Sequence, residues 1–289
     1  MNSICLLRLS ALGDVTHVLP VVSAIRSHWP ECRITWIIAR LERKLLEGLP
    51  GVEFVTFDKS RGLAAYRDLR RELGGPFDAL LHMQLSFRAN LAAWQVRAAR
   101  RIGYDRKRSR ELHGLRLTDR IDWKPGQHVL DSLADFLGPL GITSVDRRWQ
   151  IPVSDEDRAF ASEHLDPDRP ALIICPCSSH RLRNWLPERY AAAADHAVDR
   201  GFQVVLCGGP SDFEREFARK ICAAAMKKPL DLTGQDTLKQ LAAILEAADV
   251  VLAPDTGPAH IANAMGTPVI GLYAATDPKR SGPYDSIDL

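Results

Sequence analysis

A chain of 289 residues with 38 lysines and arginines, 36 acidic residues and 46% hydrophobic residues is too neutral and too apolar for a disordered tail or a fibre. Its length suits two domains of ordinary size better than a single core. No apolar stretch reaches the roughly 18 residues of a membrane span, the N-terminus runs straight into a turn rather than a secretory signal, and the six cysteines sit mostly in apolar runs without metal-ligand spacing, which predicts reduced thiols in a cytoplasmic protein.

Strand-like apolar runs alternate with helical periodicity from the first residues, the pattern of a parallel sheet with crossover helices and hence of an α/β fold. The spacing predicts strands over Ser3–Leu9, Arg33–Ala39, Glu53–Phe57 and Asp78–Met83, and helices over Val18–His28, Gly62–Leu73 and Arg88–Arg100. Just past the first strand comes Ser10-Ala11-Leu12-Gly13-Asp14-Val15-Thr16-His17. Ligands of open parallel sheets bind beyond the carboxyl ends of the strands, so Asp14 stands where a carboxylate can take a proton; capping a helix is its plainer role. For His17, local packing or capping is the expectation.

Between Arg97 and Arg120 lie nine cations against three acids. No aromatic residues alternate with these arginines as a platform for bases would require, so nucleic acid is not an expected partner. An anionic membrane surface or a phosphorylated ligand suits the patch, with a solvated helix face as the alternative. Further on, the proline- and charge-rich Leu165-Asp166-Pro167-Asp168-Arg169-Pro170 reads as a connector entered from a short helix over Asp155–His164. The domains are therefore cut near residue 150, into 1–150 and 151–289.

The second half repeats the scheme, with strands over Ala171–Cys175, Gln203–Cys207, Asp249–Ala253 and Pro268–Tyr273 and helices over Pro187–Arg200, Asp212–Ala225 and Thr237–Ala247. After its first strand a loop offers the hydroxyls of Ser178 and Ser179 and the guanidinium of Arg183, which can grip a diphosphate bidentately. Trp185 in that loop also fits a hydrophobic helix entry, and Arg181 a surface charge. The second strand ends in Gly208-Gly209-Pro210-Ser211-Asp212, where glycines permit close backbone approach and Asp212 can accept ribose hydroxyls. The third breaks into Asp255-Thr256-Gly257-Pro258-Ala259-His260. With Pro258 at the first helical position, the free N–H groups of Thr256 and Gly257 can converge on a phosphate, unless Asp255 and Thr256 merely cap the helix. Three successive strand ends together supply what a nucleotide diphosphate needs.

These turns, from Ser10-Ala11-Leu12-Gly13-Asp14 through Arg183-Asn184-Trp185, Gly208-Gly209-Pro210 and Asp255–His260 to Thr276-Asp277-Pro278, resemble in order and spacing the glycosyltransferase family 9 heptosyltransferases of lipopolysaccharide core synthesis. The resemblance, which runs to Tyr284, implies a GT-B fold: two Rossmann-like domains with parallel sheets facing a central cleft, the first binding the acceptor and the second the sugar nucleotide. It implies inverting transfer of heptose from ADP-heptose to the Kdo-lipid A inner core, at the inner face of the inner membrane by peripheral attachment. Asp14 would be the general base, accepting the proton as the hydroxyl becomes acidic in the transition state. The leaving charge would fall on Arg183 and the amides of Thr256 and Gly257, with neither cofactor nor metal. Asp166-Pro167-Asp168 meets a bare Asp-x-Asp pattern but reads as linker.

On the donor side the resemblance adds Gly13 and His260 to Ser178, Ser179, Arg183, Gly209, Asp212, Asp255, Thr256 and Gly257. On the acceptor side it points to Arg110, in Ser109-Arg110-Glu111, with Ser10, Gln84, Ser86 and His128 as softer candidates. Relatives usually carry lysine at the position of Arg183 and glycine at that of Cys177. They also continue past the Thr-Asp-Pro region into helices that pack on the first domain, which a chain ending at Leu289 is expected to lack. Two other readings remain: a GT-B sugar-nucleotide epimerase, and a non-catalytic or truncated sugar-nucleotide-binding protein.

Overall fold

Every strand pairing among the described residues is parallel. The computed structural model describes residues 1–144, 149 and 151–287, and the chain divides into two compact units, Met1–Gln150 and Ile151–Leu289. Gln150, at the boundary expected from the sequence, lies outside the described residues, as does Leu289.

In the first unit β1 (Ser3–Leu7) leads through the short α1 (Leu12–Thr16) into α2 (Leu19–His28). β2 (Arg33–Ala39), α3 (Arg40–Leu46), β3 (Val52–Phe57), α4 (Ala64–Glu72), β4 (Phe77–His82) and α5 (Phe87–Gln95) follow. β5 (Ala98–Gly103), the two-residue β6 (Asp119–Arg120) and α6 (Val129–Ala134) complete it. The order across the sheet is β3-β2-β1-β4-β5-β6, the doubly wound arrangement in which strand order reverses between β1 and β4. All residues of β1 are buried, as expected of a parallel strand covered by helices on both faces.

One predicted element is corrected here. The helix expected over Arg88–Arg100 ends at Gln95, and Ala98–Gly103 instead pairs with β4. Arginines spaced as on a helix face disguise the strand: Arg101 turns back to cap the helix end, donating to the carbonyls of Val96 at 2.8 Å and Ala93 at 2.5 Å. Arg100 pairs across to Asp119 on β6 at 2.7 Å.

The second unit contains α7 (Asp155–His164), β7 (Ala171–Ile174), α8 (Pro187–Asp199), β8 (Gln203–Leu206), α9 (Asp212–Ala224) and β9 (Leu230–Asp231). α10 (Leu238–Glu246), β10 (Val250–Pro254), α11 (Gly257–Ala264), β11 (Val269–Leu272) and α12 (Pro278–Ser281) follow. Its order, β11-β10-β7-β8-β9, reverses between β7 and β10. Local chemistry sets the helix starts: Ser154 and Thr237 close capping boxes with Asp157 and Gln240, and the Ser211 hydroxyl accepts from the Glu214 amide. Among the described residues no helix is long and apolar enough to cross a membrane.

Candidate active site

Most of the turns singled out in the sequence gather at the two points where strand order reverses, while Gly208-Gly209-Pro210 follows β8, one strand away. In the first unit the turn after β1 meets the turn after β4. The Leu9 amide donates to Gln84 Oε1 at 2.6 Å, and Gln84 Nε2 donates to Ser10 Oγ at 3.4 Å. Asp14 is the third residue of α1, and its Oδ2 accepts from the Ala11 amide at 3.1 Å. Gly13 lies buried beside it, its carbonyl accepting the Thr16 hydroxyl at 2.7 Å. The peptide between Ser10 and Ala11 is cis.

Arg8, which the sequence reading passed over, organises this turn. Its Nη2 lies 2.5 Å from Asp14 Oδ2, while Nη1 donates to the Met83 carbonyl at 2.6 Å. The buried Tyr104 hydroxyl donates to the same carbonyl at 3.3 Å, and the Trp36 indole holds the Arg8 carbonyl at 3.1 Å. A lone charge at the end of an apolar strand was the available signal. Nearby, burial pushes the Glu42 carboxyl up, with Lys59 and Asp14 also acting on it, so α3 brings a second carboxyl within electrostatic reach of Asp14.

In the second unit the loop after β7 meets the turn after β10. Ser178 is buried, donating its hydroxyl to the Asp255 carbonyl at 3.0 Å while its amide is held by Asn184 Oδ1 at 2.7 Å. Thr256 Oγ1 donates to the Cys177 carbonyl at 3.1 Å. Arg183 Nη1 stands 2.9 Å from Asp255 Oδ2, which also accepts the Thr276 hydroxyl at 2.8 Å. The capping alternative for Asp255 and Thr256 therefore fails: both side chains are engaged elsewhere, and α11 has no side-chain cap. Pro258 is the second helical residue rather than the first, leaving the amides of Gly257 and Ala259 on either side of it. His260 is buried in the first turn.

Other positions separate from this cluster. Ser179 is exposed, and Asp212 is exposed in the first turn of α9. Glu214, in the same turn, is the acid that lies against the glycine pair: a β-carbon on Gly209 would stand 2.5 Å from its Oε2. Arg181 is exposed, as a surface charge would be, with its guanidinium 4.6 Å from the Phe213 ring centroid. Trp185 packs edge-on against buried Tyr190 at 5.4 Å, so it braces the entry to α8. His128 accepts the Leu130 amide on Nδ1 at 3.1 Å as the cap of α6, and stacks edge-on with buried His17 at 5.6 Å. Asp166-Pro167-Asp168 lies before β7, at the strand end opposite the site, with the Asp168 amide folded onto Asp166.

The basic segment keeps Arg97, Arg106, Lys107, Arg110 and Arg116 exposed, with the other four cations half-buried, and several of the nine have partners within the unit. Arg108 pairs with Asp105 and lies over Tyr104. Arg120 donates to the carbonyls of Tyr104 and Gly114, both at 3.2 Å. Arg116 faces the Trp94 ring and Lys107 the Trp123 ring. These aromatic partners are distant in sequence, which is why no alternation announced them. Arg110 remains exposed, on a loop whose residues Glu111, Leu112 and Arg116 all have positive φ.

All six cysteines are unpaired, five of them buried. Among the described residues no group of three or more His, Cys, Asp or Glu side chains is placed to hold a metal ion.

Two doubly wound parallel α/β units, each with polar turns at a reversal of strand order, have the architecture of a GT-B fold. The structure aligns with that of a glycosyl transferase family 9 protein from Veillonella parvula at a TM-score of 0.90, with 25% identity over 99% of this chain and 85% of that one. E. coli heptosyltransferase WaaC with ADP shares the fold at a TM-score of 0.81 and 20% identity, covering 97% of this chain and 90% of that one. The sequence is 40% identical over 99% of its length, and 83% of the relative's, to the lipopolysaccharide core heptosyltransferase OpsX of Haemophilus influenzae. Residues 66–288 match the model of glycosyltransferase family 9 (heptosyltransferase), and the chain belongs to that family.

Proposed function

We propose that this protein transfers heptose from ADP-heptose to the Kdo-lipid A inner core of lipopolysaccharide by a single inverting displacement without a metal. The reading is supported most directly by the clustering of the family-type turns at the two strand-order reversals: Asp14 with Gln84 and Ser10 on the first unit, and Ser178, Arg183, Asp255 and Thr256 on the second. Asp14 removes the acceptor hydroxyl's proton as that oxygen bonds to the anomeric carbon. The bond to the diphosphate breaks on the opposite face, and ADP leaves with the electron pair. Arg183 and the amides at the start of α11 receive the leaving charge, a preorganised stabilisation that needs no metal. Arg110 binds the acceptor's anionic groups, and the protein works peripherally at the cytoplasmic face of the inner membrane.

Incubation with ADP-heptose and lipopolysaccharide lacking heptose tests the reading through ADP release. Turnover dependent on both substrates is expected. Donor binding without ADP release would favour a non-catalytic sugar-nucleotide-binding protein and refute the assignment.

A further inference from the structure

The loop that carries Arg110 is clamped from one side by the start of α5, and the clamp has a single hub. Asn90 is 1% exposed. Its Nδ2 donates to the Glu111 carbonyl at 2.6 Å and the Arg110 carbonyl at 3.4 Å. Its Oδ1 is the partner of two buried imidazoles, His82 Nε2 at 2.8 Å and His113 Nδ1 at 3.2 Å. Because the Tyr104 amide donates to His113 Nε2 at 3.0 Å, that nitrogen carries no proton, so Nδ1 carries one and points it at Asn90. The Phe87 amide, one residue past the Ser86 cap of α5, donates to the Glu111 carboxylate. Room for the arrangement comes from Gly103, where a β-carbon would stand 2.8 Å from His113 Nε2.

The same loop holds three non-glycine residues in the left-handed region, Glu111 at φ 50°, Leu112 at 69° and Arg116 at 64°. Such conformations persist only where the surroundings over-determine them, and they concentrate at sites where a backbone must present a side chain in one direction. Here the over-determination falls on the carbonyls of residues 110 and 111.

We propose that Asn90 is a positioning residue for acceptor binding: through the Arg110 and Glu111 carbonyls it fixes the backbone from which Arg110 reaches the acceptor's anionic groups. The inference rests on the acceptor role given to Arg110 above. Asn90 touches neither substrate, so its loss acts through the loop, on acceptor recognition and not on the nucleotide.

Asn90→Asp keeps an oxygen for the histidines and removes the donor to the two carbonyls. With ADP-heptose and heptose-less lipopolysaccharide as substrates, the acceptor KM should rise about tenfold or more while the donor KM stays within about twofold. An unchanged acceptor KM, or equal rises in both, overturns the proposal. Glu111→Ala, at an exposed position, loosens the Phe87 contact and should raise the acceptor KM by roughly two- to fivefold. If Asn90→Asp does not fold, an unchanged acceptor KM in Glu111→Ala overturns the proposal by itself. Arg110→Ala, measured alongside, separates the two levels. No effect of Arg110→Ala on the acceptor KM removes the acceptor reading and this inference together. A rise in Arg110→Ala without one in Asn90→Asp removes the positioning role alone.

Discussion

Each unit carries an arginine–aspartate pair at its strand-order reversal, and the two pairs differ in which partner is the more exposed. In Arg8–Asp14 the arginine side chain is 12% exposed and the aspartate 34%. In Arg183–Asp255 the arginine is 33% exposed and the aspartate 12%. The same ion pair thus presents an acid on one unit and a cation on the other, each braced from behind by its buried partner. On the proposed function, that inversion matches what a displacement reaction asks of two substrates: the acceptor needs a base, and the departing diphosphate needs positive charge.

The comparison breaks most visibly at the outward acid. Asp14→Asn keeps the shape of the turn and removes the proposed base, so kcat should fall about 10²- to 10⁴-fold with ADP-heptose affinity nearly unchanged. Single-turnover ADP release and donor titration measure both, and an active variant would strike Asp14 from the mechanism. Next comes the buried acid of the second unit. Asp255→Asn leaves Arg183 and Thr276 with a neutral partner and should weaken donor binding by roughly 10- to 100-fold, read by calorimetry with ADP. A change confined to acceptor KM would contradict the assignment of that pair to the nucleotide.

Removing the buried cation of the first unit sharpens the contrast. Arg8→Gln should lower kcat about tenfold, because Asp14 loses the group that orients it, while donor affinity holds. Arg8→Lys, which restores the charge but not the fork to the Met83 carbonyl, should recover part of the loss. Equal activity in Arg8→Gln and the unaltered protein would make the pair incidental.

How far these roles were legible depends on how local their signals are. Strand-end turns such as Gly208-Gly209 and Asp255-Thr256-Gly257 announce themselves because an apolar run stops at a small polar turn, and both sheets follow from that rhythm. β6 and β9, of two residues each, carry no period to read. The partners of the charges are a matter of tertiary contact. Nothing near Arg116 points to Trp94, nor near Asp255 to Arg183, since those pairings exist only once crossovers bring distant turns together. For the same reason Glu214 is not legible at the glycine pair: it shares the first turn of α9 with Asp212, and only the folded chain brings it back onto Gly209. Asn90, in the middle of an amphipathic helix, reads as an ordinary polar residue until the two histidines from other elements arrive on its oxygen.

Those histidines supply the smallest effect, on the stability of the first unit alone. Burial, with the neighbouring His113, holds His82 down to about 3. Burial, with Arg120, holds His113 down to about 4. Both folded values lie below the ordinary 6.5, so on acidification the unfolded chain takes up protons first. Their contribution is complete above about pH 6.5 and is lost as the pH falls towards those folded values, at no more than about 1.4 kcal/mol per histidine per pH unit. Between pH 7 and 6 the loss should be about 1.4 kcal/mol in total for the two histidines. Five of the six tryptophans lie in the first unit, so the urea midpoint followed by intrinsic fluorescence reports mainly on it and should fall measurably over that interval. His113→Asn removes one titrating group and should flatten the dependence, whereas an equally steep midpoint in that variant would assign the proton uptake to other groups.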